Sequence, residues 1–206
     1  MVLLSAAYLP PVDYFRIIAG NPVVYIEQFE NYTKQSYRNR CYIYGANGKQ
    51  MLNIPVKKES SPKVLIKDIR IDYSTSWINN HRKSIEAAYR HAPFFEYYAD
   101  EFMQFFSRKT DFLIDFNINI IEKTIKITGI KTEIRLTDQY YKPGETTHSD
   151  YRYKIHPKVN CNESVNITEC EKYIQVFSDR HGFIHNLSII DLIFNSGPEC
   201  MQYLKT

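Results

Sequence analysis

The chain has 206 residues, 44% of them apolar and 15% aromatic, and a net charge of only +3 from 26 basic and 23 acidic side chains. That length fits one domain with a real core, and the near balance of charge argues against a duplex-DNA binder, which needs a concentrated basic face. No apolar run approaches the roughly 20 residues of a membrane span.

The 17 tyrosines and 12 phenylalanines are many for this length. Tyrosine in such number points to half-buried rings with wet hydroxyls at a cleft or partner surface. Cys41, Cys161, Cys170 and Cys200 are widely spread with no C-x-x-C pair, which argues against structural zinc. The start, M-V-L-L-S-A-A-Y-L-P-P, lacks a basic leader. A cytoplasmic address with free thiols is therefore expected, with a Cys161–Cys170 loop closure as the oxidised alternative.

Val2–Ala6 reads as a buried strand, ended by two prolines. Val12–Ala19 reads as a short helix stopped by Gly20-Asn21-Pro22, and Val23–Ile26 as a second strand. This tight strand–helix–strand favours a parallel pair. It carries no Gly-rich fingerprint, so no dinucleotide cofactor is indicated.

The polar stretch Lys34–Arg40 follows, with Arg38 and Arg40 on one side and Asn39 on the other. Arginine forks grip phosphate or carboxylate, although a solvated surface loop has the same composition. Cys41–Tyr44 and Met51–Val56 form a hairpin, with Asn47-Gly48 as the turn signal. Val64–Asp72 reads as an extended segment or edge strand.

From Trp77 to Ala92 the helical period puts Trp77, His81, Ile85, Ala88 and Tyr89 on one face and charged residues on the other. A buried imidazole needs a hydrogen-bond partner or a task. His81 is thus either a satisfied core residue or a general base. Pro93 ends this helix and opens a second with Phe94 or Phe95, Tyr98, Phe102 and Phe105 as its apolar face.

Asp111–Ile127 fits a helix by length, ending at Gly129, and Thr132–Leu136 a strand. The span from Asp138 to Asn166 is polar and reads as a long flexible loop. Tyr173–Phe177 reads as a strand, Ser188–Phe194 as a helix broken near Gly197-Pro198, and the last residues to Tyr203 as a helical turn. The fold expected is α/β: a single domain with a small mixed sheet, a β-hairpin and packed helices.

Two further constellations stand out. His181 and His185 have an i,i+4 spacing, but H-G-F-I-H contains a glycine and no glutamate base, which speaks against a metal site. Asp191 and Asn195 share one face of the late apolar helix. No general catalytic motif occurs.

Taken in order, Y-L-P-P-V-D-Y-F, Y-R-N-R-C, N-I-P-V, the W-x-x-x-H helix with Y-x-x-A-P-F-F-x-Y, and L-S-I-I-D-L-I-F-N-x-G-P resemble the WbqC-like protein family. The residues carried over by this resemblance are Tyr8, Pro10, Asn39, Arg40, Trp77, His81, Tyr89, Asp191 and Asn195. Where the family often has histidine and glutamine, this chain has Ala6 and Ala7.

The resemblance implies bacterial surface-polysaccharide biosynthesis, including O-antigen. The expectation is a transferase moving an acyl or aminoacyl group to an amino sugar, with a sugar nucleotide or an acyl carrier as substrate. In that reading His81 and Asp191 are catalytic. Tyr8, Asn39, Arg40, Trp77, Tyr89 and Asn195 bind substrate, and no metal is needed. The alternatives are a non-catalytic binding or accessory protein of the same pathway and, behind both, a metal-dependent hydrolase using His181 and His185.

Overall fold

The computed structural model describes residues 1–58, 61, 63–144, 149–159 and 170–205. Strand β1 (Val2–Ser5), helix α1 (Val12–Ala19) and strand β2 (Val23–Glu27) form the expected parallel unit, in register from Val2↔Val24 to Ser5↔Glu27. Leu4, Val24, Ile26, Phe15 and Ile18 are fully buried and lock sheet to helix. Strand β5 (Glu133–Leu136) pairs parallel with β2, and β6 (Ser149–Asp150) parallel with β1, giving the order β5-β2-β1-β6. The fold is α/β, with this parallel sheet, a separate antiparallel hairpin and helices packed as one domain.

The hairpin is β3 (Arg40–Gly45) and β4 (Gly48–Asn53). Gly45 pairs with Gly48, so Ala46 and Asn47 are the central turn residues, one position earlier than the Asn47-Gly48 signal suggests. Of Asn47 and Gly48, only Gly48 has a positive φ, at 94°. This is the pattern of an ordinary turn closed by a left-handed residue, not a primed turn.

Helix α2 (Trp77–Tyr89) buries Trp77, His81, Ile85, Ala88 and Tyr89, as its period requires. Helix α3 (Phe95–Met103) follows, with Phe102 as its most buried ring. Helix α4 (Leu113–Thr128) ends at Gly129, whose φ of 74° suits glycine and whose N–H caps the Ile125 carbonyl. Near the C-terminus lie α5 (Ser178–His181), α6 (Ile189–Ser196) and α7 (Cys200–Leu204). Among the described residues, no helix is long and apolar enough to cross a membrane.

Two sequence expectations need correction. Val64–Asp72 is not a continuous strand. It makes a single helical turn at Ile66–Asp68 between isolated bridges Asn31↔Leu65 and Val56↔Ile71. Tyr173–Phe177 joins no ladder either. There the Gln175 side-chain amide accepts from the Ile184 N–H (2.9 Å) and donates to the Ile184 carbonyl (3.0 Å), doing with a side chain what a strand partner does with backbone.

The polar span from Asp138 to Asn166 is described in part. It contributes strand β6 and the deeply buried Arg152 and Ile155. Residues 145–148 and 160–166 of that span lie outside the described residues, as does Cys161; Cys41, Cys170 and Cys200 are free thiols.

Candidate functional site

A parallel sheet brings the carboxyl ends of its strands to one edge, and in open α/β sheets ligands bind outside that edge. Here the edge is formed by Ser5, Glu27, Leu136 and Asp150, the last residues of the four strands. Two arginines reach into it. Arg38 forks onto Glu30 (Nε–Oε1 2.8 Å, Nη2–Oε2 2.5 Å) and also donates to the Ser5 hydroxyl at 2.8 Å. Arg152 forks onto Asp150 (3.0 and 2.6 Å) and reaches Glu27 Oε2 at 3.1 Å. The Ser5 hydroxyl donates to the Arg152 carbonyl, at 3.2 Å, and so ties the two halves together.

Every member of this network except Ser5 and Asp150 is essentially excluded from solvent; Arg152 is 1% exposed. Burying charge is costly unless geometry is good and remaining donors are satisfied. The network meets that condition. Glu27 also accepts from the Thr137 hydroxyl (2.9 Å) and the Phe29 N–H (2.8 Å). Burial raises the Glu30 carboxyl above its ordinary value, and Arg38 opposes the rise. Arg152, held by Asp150 and Glu27, stays charged.

Above this floor lies a cleft of about 260 Å³ counted to its mouth, lined by Ser5, Ala7, Tyr14, Tyr37, Arg38 and Arg152 among others. Its enclosed part, about 10 Å³, has room for about one water. Tyr140 and Tyr153, 43% and 49% exposed, have their ring centroids 5.5 and 6.0 Å from the Arg152 guanidinium carbon.

The residues singled out from sequence lie in three places. Tyr8, Trp77 and His81 form an interior cluster. The Tyr8 hydroxyl is 2.9 Å from His81 Nδ1, and the Trp77 ring meets the imidazole edge-on at 5.0 Å. The Asn53 backbone carbonyl also accepts from the imidazole. Burial lowers the His81 pKa to about 4, so it is neutral and held on both sides by protein. Asn39 braces the same hairpin by donating to Asn53 Oδ1 (3.0 Å) and the Ile54 carbonyl (2.9 Å).

Tyr89, Asp191 and Asn195 belong to a second interior cluster. Asp191 Oδ2 accepts from the Tyr173 hydroxyl (2.6 Å) and Gln175 (2.8 Å), and burial raises its pKa to about 6. The Tyr89 hydroxyl accepts from the Tyr44 N–H at 3.0 Å, and Asn195 donates back to the Asp191 carbonyl at 2.7 Å. Pro10 anchors this helix, its carbonyl accepting from the Ile189 N–H.

Arg40 belongs to neither cluster. It is half-buried beside Arg38, its Nε hidden without a partner. His81 turns inward to Tyr8 and the Asn53 carbonyl. His181 Nε2–H donates to the Ala46 carbonyl (3.0 Å), and among the described residues no group of three metal-binding side chains converges.

A family model described as "WbqC-like protein family" matches residues 6–180. The chain belongs to the WbqC-like protein family. This WbqC-like chain is also 24% identical, over 225 aligned positions, to "Uncharacterized protein Rv1507c" of Mycobacterium tuberculosis; the match covers all of this chain and 97% of that protein. No solved structure matches it. The matched family span holds Arg38, Asp150 and Arg152 but stops before Asp191 and Asn195.

Sequence reasoning noted Arg38 but missed Ser5, Glu27, Glu30, Asp150 and Arg152. Two signals were available: Ser5 and Glu27 end parallel strands, and D-x-R is a compact carboxylate–guanidinium pair.

Proposed function

We propose that this WbqC-like chain is a binding protein of bacterial surface-polysaccharide assembly, O-antigen included, that holds a sugar nucleotide over the carboxyl edge of its parallel sheet. The observation that carries this reading is the convergence of Arg38 and Arg152 at that edge, under two half-exposed tyrosines. Salt bridges this deeply buried contribute little net stability, whereas they fix a rigid floor. Tyrosine rings beside a guanidinium suit the apolar face of a sugar while the hydroxyls stay hydrated.

Titration calorimetry with UDP-N-acetylglucosamine tests the reading. Binding weakened about tenfold or more by Tyr153→Ala, with melting unchanged, supports it; tenfold is the equivalent of about 1.4 kcal/mol. Absence of binding, or a Tyr153→Ala variant that binds like the parent, counts against it.

The transferase reading, acyl or aminoacyl transfer to an amino sugar, has one feature in its favour. The Ser5 hydroxyl lines the cleft beside Glu30, whose carboxyl burial makes more basic. His81, held between Tyr8 and Asn53, does not support it. An assay with an acyl thioester and an amino-sugar nucleotide separates the two readings. Product formed by the parent and lost in Glu30→Gln, with binding kept, favours the transferase.

A further inference from the structure

The parallel sheet ends at β5, and among the described residues nothing pairs with the far side of that strand. The Glu133 N–H donates to the Pro22 carbonyl, and the Thr137 N–H to the Ile26 carbonyl. Glu133, Arg135 and Thr137 therefore turn their backbone groups toward β2, since those groups alternate along a strand. Ile134 and Leu136 turn theirs outward. Such an open edge is a template for another strand, and monomeric proteins commonly block it with unmatched charge such as lysine.

The charge on β5 is matched instead. Glu133 and Arg135 lie two residues apart on one face, both exposed, and fork onto each other with two bonds of 2.8 Å. Opposite signs at this spacing are self-complementary. An antiparallel copy of β5 with Ile134 opposite Ile134 sets Glu133 of each chain opposite Arg135 of the other, and opposite charges across a strand pair are favourable. The outward N–H and C=O of the two Ile134 residues then bond to each other. A register centred on Arg135 would set arginine against arginine, and a parallel copy in register would set like against like throughout. On the other face, Ile134 continues the row formed by Val2 and Val24, so pairing extends an apolar row already in place.

We propose that β5 is a self-association edge: two copies of this chain join their four-stranded sheets antiparallel through Ile134, with the Glu133–Arg135 fork shared across a two-fold axis. The inference stands apart from the sugar-nucleotide reading, because it uses none of the residues of the cleft. The carboxyl edges of the two sheets face opposite ways, since the paired strands run in opposite directions.

The test is sedimentation equilibrium of the full chain from low micromolar to near-millimolar concentration. The mass is expected to rise with concentration from 24.4 kDa toward twice that value. Ile134→Pro removes an outward N–H that β2 does not use, so it should keep the parent's melting and stay monomeric. Glu133→Arg sets arginine against arginine twice and should weaken the dimer about tenfold or more. The double variant Glu133→Arg/Arg135→Glu should restore it, and this charge exchange decides the matter even if Ile134→Pro fails to fold. A monomer at every concentration overturns the proposal and leaves the edge to a strand of another protein. A dimer that Glu133→Arg leaves as tight as the parent, or that the double variant does not restore, overturns it as well.

Discussion

The Tyr8 hydroxyl and the His81 imidazole meet at 2.9 Å with their rings stacked 5.6 Å apart, although 73 residues separate them in sequence. The Asn53 carbonyl accepts from the ring, so Nδ1 is the acceptor and Tyr8 the donor. The contact joins the first β-strand's exit, the hairpin and helix α2 at one interior point.

Loss of that contact should be read in stability. His81→Gln is expected to cost about 1–3 kcal/mol, the range for a buried polar partner left unsatisfied. Tyr8→Phe should cost about 1 kcal/mol. A double-mutant cycle by urea denaturation should give coupling between the two; strict additivity would show that the contact contributes nothing.

His81 and Asp191 should oppose each other in acid. Folded His81 titrates at about 4 rather than 6.5. The unfolded chain thus binds the proton first, and this stability is complete above pH 6.5 and lost as pH falls toward 4. Folded Asp191 titrates at about 6 rather than 3.8. The folded chain binds that proton first, so stability rises as pH falls from 6 toward 4 and is lost as pH rises through 6. Each effect amounts to about 3 kcal/mol. Relative to the parent, Asp191→Asn should therefore become less stable on acidification over this window, and His81→Gln more stable. Difference profiles of the same sign would contradict the assignment.

Arg152→Met should be among the most damaging single changes in the chain. It leaves Glu27 buried, and Asp150 partly buried, without their shared cation. Breaking such a pair from one side costs about 3–5 kcal/mol. A denaturation midpoint within experimental error of the parent would refute the network as drawn.

Two left-handed glycines should respond differently to alanine. Gly129 has φ 74° and open space around an added Cβ. Gly129→Ala should cost about 1–2 kcal/mol for the backbone alone. Gly197 has φ 50°, and its Cβ would meet the Phe94 ring at 2.5 Å. Gly197→Ala should therefore cost clearly more, measured as the difference between the two urea midpoints.

The sequence by itself determined the local frame. Gly20-Asn21-Pro22 and Gly129 end their helices, and the 3.6-residue period of Trp77, His81, Ile85 and Tyr89 chose the buried face of α2. These features depend on neighbours within a few residues, and such neighbours are visible in a sequence. Only the tertiary structure decided what the polar residues do. His81 lies on the face its period predicts, but its partner comes from residue 8. Arg152 looks like a loop residue until β6 pairs with β1 and brings it to Glu27, 125 positions away. A charge becomes costly, and so selective about its partner, only once the fold has removed water from around it.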